Sequence, residues 1–161
     1  MKKRIALLVV LINLITLISC SVESKTPDIE SLEWTLIQYK VTEWGELSEF
    51  LGLEEGDSVK VLNDAEQVFK LNFKDGKIYL TNKQNSSSLQ GSYLKKSREW
   101  NGSLHVEYEI DLHGNNTLTS VIECILVDWN TEMTGFDGNL YGDYCIDLQF
   151  ANGTFLSFFA S

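Results

Sequence analysis

The sequence predicts a mostly β protein, an antiparallel up-and-down barrel or strongly curled sheet of about eight strands with one short helix after the first strand. Three observations carry this. Apolar and polar residues alternate in one short segment after another from Leu32 onward, and period two is the mark of a strand with one buried face. Turn-forming groups separate these segments, among them Asp75-Gly76, His113-Gly114-Asn115-Asn116 and Asn152-Gly153. Such groups reverse a strand into an antiparallel neighbour. Helical spacing of apolar residues is clear only once, over residues 42–51.

The first strand places Leu32, Trp34 and Leu36 on one face. In the helical segment, Thr42 is the expected N-cap and acidic residues fill the first turn. A short strand follows at Val59 to Val61. Phe69, Leu71 and Phe73 then alternate with Lys70, Asn72 and Lys74, and Asp75-Gly76 turns the chain into Ile78-Tyr79-Leu80. After a loop at Asn85-Ser86-Ser87-Ser88, Gly91 to Leu94 reads as the start of another strand. Leu104, Val106, Tyr108, Ile110 and Leu112 give the cleanest alternation, and the His113 turn returns the chain into a strand over residues 118–129. Tyr144, Ile146, Leu148 and Phe150 pair through Asn152-Gly153 with Phe155 to Phe159. Closing such a sheet removes the exposed edges that invite aggregation.

The N-terminus has a different character. Met1-Lys2-Lys3-Arg4 precedes an apolar run over residues 5–18, then Ser19-Cys20. A basic head, a short apolar middle and a small residue before a cut make a secretory signal peptide, too short to span a bilayer comfortably. Leu17-Ile18-Ser19-Cys20 resembles the lipobox of bacterial lipoproteins. That resemblance implies cleavage before Cys20, a diacylglycerol thioether on its sulfur and a further acyl chain on its new amino group. One acyl chain holds a protein to a membrane only marginally, whereas two or three anchor it stably. Ser21 after the cysteine implies shipment to an outer membrane where the organism has one. The expected organisation is therefore a cleaved leader over 1–19, a lipidated Cys20 with a polar tether over 20–31, and one β domain over 32–161.

The formal charge is −10. Removing the leader, which holds Lys2, Lys3 and Arg4 and no acidic residue, leaves −13. A surface of that sign repels nucleic acid and anionic headgroups and suits a cationic ligand or a basic protein partner. Hydrophobic residues at 43% and aromatics at 11% are those of a folded chain with a real core. Two cysteines remain besides Cys20. In an oxidising envelope Cys124 and Cys145 could bond, closing a loop of about twenty residues and contributing about 3 kcal/mol. The alternative is two free thiols, with Cys145 on an accessible face beside Asp147 and Gln149.

The body resembles small bacterial lipoproteins of the lipocalin-like and META-domain types. The likeness lies in Trp34-Thr35-Leu36 opening the first strand, the strand–turn–strand Phe73-Lys74-Asp75-Gly76-Lys77-Ile78, and Gly91-Ser92-Tyr93. A closing hairpin from Leu148 through Asn152-Gly153 to Leu156 and Phe158 completes it. It implies the curled-sheet fold and, for function, a binding protein without catalysis.

Chemistry-bearing patterns are few. His105, Glu107, Glu109, Asp111 and His113 share the polar face of the cleanest strand, and His105, Glu107 and His113 are the only candidate metal ligands. Alternate strand residues lie about 6.6–6.8 Å apart, so a tight site needs ligands from a neighbouring strand. The expected reading is therefore the solvated side of an amphipathic strand, with no metal site, and a metal surface is the alternative. No Gly-x-Ser-x-Gly, His-Glu-x-x-His or phosphate-cradling glycine loop occurs, and no cofactor is expected. Trp44, Trp100 and Trp129 fall near predicted ends and loops, where an exposed ring can meet a ligand. The expectation is a lipid-anchored envelope protein of the lipocalin-like binding kind, taking a small apolar ligand. The alternative is an inhibitor or immunity-type protein that neutralises a basic toxin or hydrolase.

Overall fold

A computed structural model describes residues 27–124 and 139–161. A 3-10 turn at Ile29–Ser31 leads into β1 (Trp34–Lys40) and helix α1 (Glu46–Leu51). Then follow β2 (Lys60–Val61), β3 (Phe69–Lys74), β4 (Lys77–Asn82), β5 (Ser88–Trp100), β6 (Ser103–Leu112) and β7 (Asn115–Thr119). The chain ends with β8 (Ile122–Glu123), β9 (Tyr144–Gln149) and β10 (Phe155–Ala160). All pair antiparallel in one sheet, ordered β7-β6-β5-β4-β3-β1-β10-β9-β8, with β2 joined to β1 off that path. The sheet curls strongly into a half-barrel, the fold class expected from the alternation. Its two ends approach each other: the hydroxyls of Thr117 and Thr119 on β7 donate to the carbonyls of Gln149 (2.8 Å) and Asp147 (2.9 Å) on β9. β7 then continues through Ser120 and Val121 into β8, which pairs with β9.

Tight turns join the successive strands because their residues reach left-handed backbone at low cost. Asp75-Gly76 (φ 51° and 75°), Asn101-Gly102 (50° and 76°) and His113-Gly114 (54° and 79°) each join two strands with positive φ at both central residues. Gly91 is needed for a different reason. It pairs with Leu112 inside β5, and a Cβ there would overlap the Asp111 carbonyl oxygen on β6. Gly91→Val is therefore expected to destabilise the protein by about 2 kcal/mol or more, read as a lower denaturant midpoint.

The concave face holds the main core. Trp34, Leu36, Leu71, Ile78, Leu80, Ile110, Leu112, Ile146, Leu148, Leu156 and Phe158 are fully buried in it. β1 is buried on both faces, because a bulge between Leu36 and Gln38 puts Ile37 and Gln38 together on the convex side. After the bulge Tyr39 and Val41 return to the core.

Five sequence expectations are corrected. The tether ends earlier than residue 31: Ile29 is buried, and the Trp34 indole donates to its carbonyl at 3.2 Å. Helix α1 starts at Glu46 after Gly45, not at Thr42, whose hydroxyl donates instead to the Gly153 carbonyl at 3.2 Å. β5 starts at Ser88, so Gly91 lies inside it. The strand expected over 118–129 runs from Asn115 only to Thr119, and β8 replaces its continuation up to Glu123. Residues 125–128 of that span, Trp129, and the leader with Cys20 lie outside the described residues. Cys145, expected on an accessible face, is buried, because Ile37 and Phe159 cover that side of β9.

The 3-10 turn is pinned by Glu30, whose carboxylate accepts from the Asp75 backbone N–H (2.9 Å) and from the Tyr93 hydroxyl. Burial, then the hydrogen bond and charge of Glu30, push the Tyr93 phenol up to about 12. The fold thus favours the neutral phenol. Its contribution is complete below the ordinary tyrosine value of about 10 and is lost as pH rises through about 12. An ultraviolet absorbance titration of native protein is expected to lose one late-ionising tyrosine in Tyr93→Phe.

Candidate functional site

An open cleft arises where β1 changes partners. Its first half pairs with β3 through Trp34 and Thr35, and its second half with β2 through Gln38 and Tyr39. β2 and β3 therefore part, and the connection over 62–68 arches over the gap. The result is an open cleft of about 500 Å³, lined by Tyr39, Leu51, Leu53, Val61, Leu62, Val68 and Phe69 with Glu54, Lys60, Ala65, Glu66 and Gln84. Volumes of this size are typical of small-ligand sites, in which apolar walls are combined with a few polar groups.

Local chemistry builds its walls. Helix α1 stops at Gly52, which is left-handed (φ 60°) and donates to the Glu49 carbonyl at 3.0 Å, while the Leu53 N–H reaches the Ser48 carbonyl at 3.1 Å. This termination turns Leu53 back under Leu51 and into the cleft. The arch is held by Leu62 N–H on the Ile37 carbonyl (2.7 Å) and by Asn63 N–H on the Glu66 carboxylate (3.0 Å). Tyr39 lends its hydroxyl to the Glu54 N–H at 3.3 Å. Glu54 and Lys60 form an ion pair across the mouth. The hydrogen bond and charge of Lys60 hold the Glu54 carboxyl below its usual range, and the Glu54 hydrogen bond raises the Lys60 ammonium. Residues 43–66 carry Glu43, Glu46, Glu49, Glu54, Glu55, Asp57, Asp64 and Glu66, all exposed, against the single base Lys60; of these acids Glu54 and Glu66 line the cleft.

A second polar constellation crosses the convex face. Cys145 donates its thiol to the Asp147 carboxylate at 3.3 Å, the Ser157 hydroxyl donates to the same carboxylate, and the Gln38 amide donates to the Ser157 hydroxyl at 3.2 Å. Cys124 lies in the same small buried cluster as Cys145. The neighbouring Cys124 thiol, burial and the Asp147 charge push the Cys145 thiol up, whereas the Cys145 thiol pulls Cys124 down.

The candidate metal ligands are not brought together. His105 and Glu107 stand on the outer side of β6, where Arg98 on β5 donates to Glu107 at 3.2 Å and Lys96 pairs with Glu109 at 2.5 Å. His113 sits at the β6–β7 turn, 2.9 Å from Glu46 and beside a shallow hollow with Gly91 and Asp111. Among the described residues no three His, Cys, Asp or Glu side chains form a group able to hold a metal. Glu107 and Glu109 form ion pairs with Arg98 and Lys96 of β5, which is the chemistry of a solvated face. Of the candidate aromatics, Trp44 is half exposed in the link before α1 and Trp100 ends β5 at the hairpin tip. Trp44 does not line the cleft. Its residues were not singled out from the sequence, although Leu51-Gly52-Leu53, an apolar pair around a helix-ending glycine, was a usable signal. The chain matches no known protein-family model, no curated protein and no solved structure.

Proposed function

We propose that this is a lipid-anchored envelope protein, held by Cys20, whose half-barrel body binds a small, partly apolar ligand without catalysis. The observation that carries the binding role is the cleft between β2 and β3: it brings apolar side chains together with polar groups that make up the larger part of its accessible lining, and its residues are held in place by backbone hydrogen bonds. The leader and Leu17-Ile18-Ser19-Cys20 support the anchor. No helix among the described residues is long and apolar enough to cross a membrane.

Ala65 lines the cleft but is itself exposed, so a larger side chain there fills the space without disturbing the core. A neutral solvatochromic dye is expected to bind the wild type, and Ala65→Trp is expected to weaken that binding about tenfold. Unchanged dye affinity in a folded Ala65→Trp protein would remove the cleft as the site.

One observation favours a second reading. The exposed acidic residues concentrated over 43–66 form a surface suited to a basic protein, as an inhibitor or immunity-type protein would need. Capture of a basic partner that weakens steeply with salt and is lost on charge reversal of Glu46 and Glu49 would favour it over the cleft.

A further inference from the structure

We propose that Cys124 and Cys145 close into a disulfide that staples the edge strand β8 to β9, where the two ends of the curled sheet meet. The pairing of β8 with β9 sets Ile122 opposite Cys145 and Glu123 opposite Tyr144, and the Cys124 N–H continues the ladder to the Asp143 carbonyl at 2.8 Å. Side chains two apart on a strand share a face. Cys124 is therefore the diagonal neighbour of Cys145 on the convex side, although twenty residues (125–144) separate them in sequence. Both thiols are buried in one small cluster with Ile37 and Phe159. A diagonal is the longer cross-strand span. Closing it to disulfide geometry requires Cys124 to move toward β9, and Cys124 lies just after the two-residue strand β8, tied to β9 by its own N–H on the Asp143 carbonyl.

The arrangement also orders the chemistry. The Cys145 S–H is held by Asp147, and the neighbouring Cys145 thiol lowers Cys124, so the Cys124 sulfur is the first to become a thiolate. That thiolate attacks one sulfur of an external disulfide, either glutathione disulfide or the active disulfide of an exported thiol oxidase, and expels one thiolate. Cys145 then gives up its proton beside Asp147, and its sulfur attacks the Cys124 sulfur of the mixed disulfide, releasing the second thiolate. Two electrons pass to the oxidant, which ends as two thiols carrying the two protons. Asp147 loses the Cys145 donor but keeps the Ser157 hydroxyl, so its carboxylate remains hydrogen-bonded. The bond matters at this place because β8 contributes only two ladder residues, and the rest of the junction rests on the Thr117 and Thr119 hydroxyls.

The test is to refold the full chain in a glutathione redox buffer, digest it without reduction and map the cysteine peptides by mass spectrometry. The expected product is a linked pair containing Cys124 and Cys145, two hydrogens lighter than the separate peptides. The thermal midpoint of that protein should fall by about 10 °C on reduction, and the Cys124→Ser/Cys145→Ser protein should show no response to reductant. Cysteines that stay free and alkylatable after equilibration in oxidising buffer would overturn the proposal, as would a stable glutathione adduct on one of them or a link from either to Cys20. The central comparison is between oxidised and reduced wild type, so it holds even if the serine variant fails to fold. It is also independent of whether the cleft binds a ligand.

Discussion

Trp34→Ala is expected to cost about 3–5 kcal/mol, the largest loss of any single core substitution in this protein. Trp34 is fully buried at the start of β1, the strand that joins the β3 side of the sheet to the β10 side. Its ring is among the largest fully buried side chains, so truncation leaves a cavity that the surrounding strands cannot fill without breaking register. The indole N–H also supports the Ile29 carbonyl, and its loss loosens the 3-10 turn that Glu30 ties to Asp75 and Tyr93. Thermal unfolding should show a midpoint lower by about 10–20 °C. Trp34→Phe should recover most of the packing but not the Ile29 hydrogen bond. It should therefore fall between the two, with faster amide exchange around residues 29–31.

Cys20→Ala is expected to move nearly all of the protein from the membrane fraction to the soluble fraction. Under the proposed anchorage, two or three acyl chains hold the chain to the bilayer, each buried methylene contributing about 0.8 kcal/mol. The alanine variant offers no sulfur to the lipid transfer that precedes cleavage. The acidic body would not compensate, since its charge repels anionic headgroups. Fractionation of cells carrying each form, followed by a carbonate wash, checks this directly. Retention of the variant in the washed membrane would mean that another part of the chain holds it there.

The hairpins were legible because their chemistry is local. Asp75-Gly76 and His113-Gly114 stand between segments whose alternation is plain, and both have the positive φ such turns require. Asn101-Gly102 has the same signal but went unused. The strand before it, over Leu94 to Glu99, is exposed throughout, so no apolar alternation marked it as a strand. The expected cap at Thr42 lies three residues before the actual cap at Gly45, because Thr42 satisfies a cap rule in isolation. In the fold, its hydroxyl is taken by the β9–β10 turn at Gly153. The convex face was not legible. The bulge after Leu36 changes which residues of β1 face inward, and pairing with Ile122 and Phe159 covers Cys145. The cleft was hidden for a related reason: it comes from β1 exchanging β3 for β2 along its length, a matter of sheet topology that no residue spacing records.

The most direct measurement is the intact mass of the protein extracted from the envelope of the producing cell. The proposed anchorage predicts a chain beginning at Cys20, heavier than its polypeptide by a diacylglyceryl group and a further acyl chain. A mass matching an unprocessed chain from Met1, or a cut elsewhere without lipid, would contradict it.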